Sequence, residues 1–203
     1  MANTFAPFGF SQTGAAPGNA PSAEQATYSI LYSDTNKIYT GDPIKIGANG
    51  YVAAWTAGTA VSQMFGIFVG CKYLSTSQGR VVWSPYWPGS DVASSAQSSI
   101  EAYVIPCAPG TAPRFLVQTG NSNTTATAVT QADVGQNIDV AMGTGSTLTG
   151  RSGAYADQYT QGTTSTLPFR IIGLYQGVGN GSDATSANNW IIVEANTLQT
   201  TGI

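Results

Sequence analysis

Met64-Phe65-Gly66-Ile67-Phe68-Val69-Gly70-Cys71-Lys72-Tyr73 is the stretch on which the fold turns. All of it but Lys72 is apolar, aromatic or glycine. A run of this length suits a strand covered on both faces or a buried helix, and periodicity alone does not separate the two. Gly66 and Gly70 weaken a helix, and their β-branched neighbours favour extended backbone. The segment therefore reads as a strand with protein on both sides.

The flanking sequence carries the same signal. Ile44-Lys45-Ile46 lies between the turn residues Gly41-Asp42-Pro43 and Gly47-Ala48-Asn49-Gly50. Residues 51–55 resume as the second arm of a hairpin, because Asn-Gly favours a two-residue primed turn. Further strands are predicted over residues 27–32, 79–84, 100–105, 115–119, 138–141, 170–175 and 190–194, each bounded by Gly, Pro or Ser clusters. Polar loops are predicted over 120–127, 143–166 and 177–189, and residues 131–135 suit a single helical turn. No apolar pattern of helical period runs for a dozen residues. The expected fold is all-β, a sandwich or barrel-like domain of about nine or ten short strands with long polar loops. It spans residues 27–203. Residues 1–26 read instead as an extended N-terminal arm, with Phe5, Phe8 and Phe10 set among Pro and Gly without any period.

Composition narrows the function. Only 8% of the 203 residues are charged, against about 25% in a typical soluble protein. Seven basic and ten acidic residues give a formal charge of −3. A nucleic-acid binder that works by displacing counterions needs a clustered basic face, so this class is excluded. The chain contains no histidine, which removes Ser-His-Asp and Cys-His catalysis and histidine-ligated metals. No apolar run is long enough to cross a membrane as a helix, and the first residues lack the basic start and apolar core of a signal peptide. Cys71 and Cys107 read as unlinked, buried thiols rather than a disulfide framework.

Candidate constellations are few. The glycine clusters at 143–145 and 177–181 lack the spacing and the following lysine of phosphate loops, and read as turns. The ten carboxylates are spread singly, several of them among turn residues that their side chains would cap. Asp133 and Asp139 lack the acidic loop that a calcium site needs. No catalytic residue, metal ligand or cofactor site emerges, and the chain does not read as an enzyme. The aromatic loop Trp83-Ser84-Pro85-Tyr86-Trp87-Pro88-Gly89 is more informative. Flat rings held by prolines suit a glycan platform, a protein interface anchored by Trp and Tyr, or a satellite core beneath a loop.

Taken together, an ordered set of segments resembles a known family. It comprises Pro7-Phe8-Gly9-Phe10, Ile38-Tyr39-Thr40-Gly41-Asp42-Pro43-Ile44-Lys45, Gly66-Ile67-Phe68-Val69-Gly70-Cys71-Lys72-Tyr73, Ser84-Pro85-Tyr86-Trp87-Pro88-Gly89, Asp133-Val134-Gly135-Gln136-Asn137 and Phe169-Arg170-Ile171-Ile172-Gly173-Leu174. The chain resembles virion structural proteins of tailed bacteriophages, similar to the capsid decoration or cement proteins that accompany the major capsid protein. The resemblance implies a β-rich subunit, often a homotrimer, on the outer surface of the icosahedral shell and assembled in the host cytoplasm. The expected partners are the major capsid protein and copies of the chain itself, with no nucleic acid, membrane or cofactor. Phe5, Phe8, Phe10, Trp83, Tyr86 and Trp87 are the expected interface residues. Two alternatives stand beside it: a carbohydrate-binding module or adhesin using the aromatic loop, and a head–neck or tail component.

Overall fold

A computed structural model describes residues 2–15, 25–56, 64–107 and 113–196. The fold is all-β. Among these residues lie fourteen strands and two short 3-10 turns, Ser94–Ser99 and Gln131–Asp133.

The apolar stretch at 64–73 forms the longest strand, β6 (Met64–Leu74), in a sheet ordered β2 (Ala26–Tyr28), β9 (Glu101–Pro106), β6, β4 (Pro43–Ile46), β5 (Val52–Ala54). One edge of β6 pairs with β9; the other pairs first with β4 and then with β7 (Val81–Ser84). A bridge from Ile30 to Val52 brings the chain after β2 back against β5, so this sheet curls toward closure.

A second sheet has the order β1 (Ser11–Ala15), β10 (Pro113–Gly120), β12 (Tyr155–Gly162), β11 (Asn137–Ala141), β13 (Phe169–Leu174), β14 (Trp190–Ala195). An additional pairing of β10 with β14 turns five of these strands into a partial barrel, whose one parallel contact is β10 with β12. A small ribbon pairs β3 (Ile38–Tyr39) with β8 (Tyr86–Trp87), both drawn from the stretch of chain that builds the first sheet.

Each sheet encloses its own apolar core, and β6 belongs to both. Met64 and Ile67 face a cluster with Phe10, Phe115, Phe169, Ile191 and Val193. Phe68, Cys71 and Tyr73 face a second one with Ile30, Ile38, Ile44, Trp87 and Val104. Strict alternation would keep Phe68 apart from Cys71 and Tyr73. A register shift between Phe68 and Gly70 inserts the extra residue that brings all three to one side. The reading of 64–73 as a strand covered on both faces thus describes a wall shared by two cores.

Three local readings need correction. The hairpin after β4 does not use a two-residue primed turn. Gly47 N donates to Tyr51 O at 2.9 Å and Gly50 takes φ 79°, giving a three-residue loop closed by a left-handed glycine. The region predicted as one polar loop over 143–166 contains β12, and the predicted arm contains β1.

Candidate interaction surface

The N-terminal segment lies along the barrel rather than away from it. Asn3 acts as a clasp: its Nδ2 donates to Asp183 O at 2.8 Å and Ala187 O at 3.2 Å, and its Oδ1 accepts from Gly181 N at 2.9 Å. Gln118, fully buried on β10, accepts from Ala6 N and donates to Thr4 O, both at 2.8 Å. Beyond this strap, β1 adds a strand to the edge of β10. Residues 16–24 of the expected arm lie outside the described residues.

The three phenylalanines meet different fates. Phe5 is 48% exposed, edge-on to Tyr155. Phe8 is half-buried, with its ring 4.8 Å from that of Trp190. Phe10 is buried, stacked on Phe169 at 4.5 Å and edge-on to Phe115. This overturns the expectation that Phe10 faces a partner. Gly9 explains the inward turn: its φ of +78° is a left-handed conformation, and a Cβ there would lie 2.6 Å from that of Ser152. With no side chain, Gly9 lets the backbone pass close enough for Phe10 N to reach Gly41 O at 2.9 Å.

The aromatic loop divides in the same way. Trp87 is fully buried, its indole N–H donating to Asp34 O at 3.0 Å and its ring edge-on to Tyr73. It is a core residue, and its place among the expected interface residues is corrected accordingly. Tyr86 is half-buried and stacks on Tyr39 at 5.6 Å. Trp83 alone of the three stands out, 67% exposed on β7 beside Val81 at 44%. Lys72 Nζ lies 6.0 Å from the centre of the Trp83 ring and pairs with Glu101. That ammonium and the Tyr103 hydroxyl hold the Glu101 carboxyl below its usual range.

Behind this surface, the turn from β6 to β7 is organised by Asp91. Its carboxylate accepts from Ser75 Oγ at 2.6 Å, Thr76 Oγ1 at 2.7 Å and Ser77 N at 2.7 Å. These hydrogen bonds hold it well below the ordinary aspartate range. Asp91 stands among turn residues in the sequence, and nothing local to it signals that its carboxylate reaches fourteen to sixteen residues back along the chain.

A groove of about 360 Å³ runs between the strap and the aromatic loop, lined by Phe8, Phe10, Gln12, Thr40, Val69, Pro85 and Arg151 among others. Beneath its floor, Asp42 is 3% exposed and accepts hydrogen bonds from Tyr39 N at 2.7 Å and from the Ser152 hydroxyl. Both donors are neutral, and burial raises the Asp42 pKa above its ordinary value.

Asp139 and Asp157 face each other across β11 and β12. Asp139 accepts a backbone hydrogen bond from its neighbour Val140, and Asp157 accepts from Tyr159 N and from Ser122 N, 35 residues earlier in the chain. Among the described residues no group of three or more metal-ligating side chains comes together. Cys71 and Cys107 are free and buried, and burial pushes both thiols up to about 12. Neither is a ready nucleophile at neutral pH.

No family model matches the chain, and no match to it was found among curated proteins or solved structures.

Proposed function

We propose that the chain is a structural subunit of a bacteriophage capsid, seated on the outside of the shell and bound to the major capsid protein and to its own copies. The observation that carries this reading is the placement of its exposed apolar side chains. Leu148 and Val178 are each 94% exposed on separate loops, and Trp83 is 67% exposed on β7. Large apolar groups left in water at several separate places suit a subunit that touches more than one neighbour. The low charge content suits contacts made by packing and neutral hydrogen bonds rather than by ion pairs.

The test is the composition of purified particles. The chain should be present in copy number comparable to the major capsid protein and should stay bound at about 0.5 M salt, where surface ion pairs are screened. Leu148→Ser with Val178→Ser should weaken its retention without altering its circular dichroism. Absence from the particle, or release by salt alone, would overturn the reading. Quenching of tryptophan fluorescence by sugars, with no association with particles, would favour the glycan alternative instead.

A further inference from the structure

The β6–β7 hairpin leaves one ladder open. Successive residues of an antiparallel strand direct their N–H and C=O groups alternately toward and away from the neighbouring strand. Ser75 N donates to Arg80 O at 3.0 Å, and the register continues through Leu74–Val81, Tyr73–Val82 and Lys72–Trp83. On the far side of β6, Leu74 O accepts from Ala93 N at 3.0 Å, which fixes the phase. Leu74 and Lys72 turn their backbone groups away from β7, so Val81 and Trp83 turn theirs away from β6. These two donors and two acceptors have no protein partner among the described residues. The side chains of the same two residues are the exposed ones.

We propose that this edge seats a second copy of the chain, with β7 pairing antiparallel to β7 of the copy about a two-fold axis at Val82. In that register Val81 of each copy stands opposite Trp83 of the other. The outward groups of both strands then satisfy one another completely, and each indole ring covers a valine of the other copy, a favourable cross-strand combination. Sliding the register by two residues either way brings in Gly79 or Pro85, and proline has no N–H to give to the ladder. The pairing is also electrically neutral: β7 carries no charge, and Arg80 falls opposite Ser84 of the copy. Soluble proteins usually guard such an edge by keeping it short or with a charge, a proline or a bulge. β7 is short and lies between Arg80 and Pro85, but its own four residues contain no charge, proline or bulge.

This inference goes beyond the shell reading and does not depend on it. The contact is small, so the dimer should be weak, with a dissociation constant on the order of micromolar to tenths of millimolar. Sedimentation velocity of the full-length chain from about 5 to 500 µM spans that range. Val81→Pro removes one outward N–H while leaving the bonds to β6 intact, at an edge position that proline tolerates. Trp83→Lys places a guarding charge on the same edge. The wild type should pass from monomer to dimer as concentration rises, with a blue shift in tryptophan emission. Each variant should need at least about tenfold more protein to do so, with circular dichroism unchanged. If Val81→Pro perturbs the fold, Trp83→Lys decides. A wild type that stays monomeric throughout overturns the proposal, as does an oligomer that Trp83→Lys leaves equally tight. Either result leaves particle association, measured separately, untouched.

Discussion

Phe10 and Phe5 stand five residues apart and make opposite contributions. Phe10 is enclosed by Phe115, Phe169 and their neighbours, so Phe10→Ala removes buried area and leaves a cavity. The expected cost is about 3–5 kcal/mol. Phe5 keeps nearly half its surface in water and makes one edge contact with Tyr155, so Phe5→Ala should cost less than about 1 kcal/mol. Urea denaturation of the two variants measures both values, and equal losses would contradict this placement. The sequence Phe5-Ala6-Pro7-Phe8-Gly9-Phe10 contains no period that tells one ring from another. What distinguishes them is a left-handed backbone at Gly9 and a close approach to Gly41 and Ser152, residues far away along the chain. The same limit hid the burial of Trp87. A Trp-Pro pair in a loop looks alike whether its indole meets solvent or the carbonyl of Asp34.

At the scale of elements, legibility followed burial. β6, β9 and β14 were readable because their apolar residues are numerous and bounded by turn signals. β12 was not. Of its eight residues only Ala156 and Asp157 are buried, so its composition is that of a loop and its shape is imposed by β10 and β11. β1 was missed for a similar reason: Ser11-Gln12-Thr13-Gly14-Ala15 carries no large apolar residue and is a strand because β10 offers it an edge. The strap ahead of β1 is held by side-chain hydrogen bonds that no propensity encodes. Deleting residues 1–15 removes the Asn3 clasp, the β1 ladder and the Phe10 ring together. The truncated chain should lose at least about 3 kcal/mol, from the Phe10 cavity alone. Thermal unfolding followed by near-ultraviolet circular dichroism checks this, and an unchanged midpoint would mean that the segment is a dispensable arm.

Across the whole molecule, Asp42 lies where the strap, β4 and the loop before β12 meet. Its carboxyl has a raised pKa in the folded chain and its ordinary one when unfolded. Between those two values the folded state holds more protons than the unfolded state. The stability linked to this group is therefore fully present in acid and is lost as pH rises through the folded pKa. Asp42→Asn cannot ionise and lacks this dependence. The difference in melting temperature, wild type minus variant, should fall as pH climbs from about 4 toward neutrality. A difference that stays constant over that range would show that the group titrates normally.

The shared strand β6 has a consequence for how the molecule comes apart. Two apolar cores in one chain would ordinarily permit two melting units, each opening while the other persisted. Here the wall between them is a single backbone, bonded along one edge to β9 and along the other to β4 and β7. Only when the ladders on both edges open is β6 released, and water then reaches Met64 and Ile67 on one side and Phe68 and Tyr73 on the other. Neither core can be exposed alone by that route, so the two cores should fail together, as a masonry pair does when its party wall is drawn out.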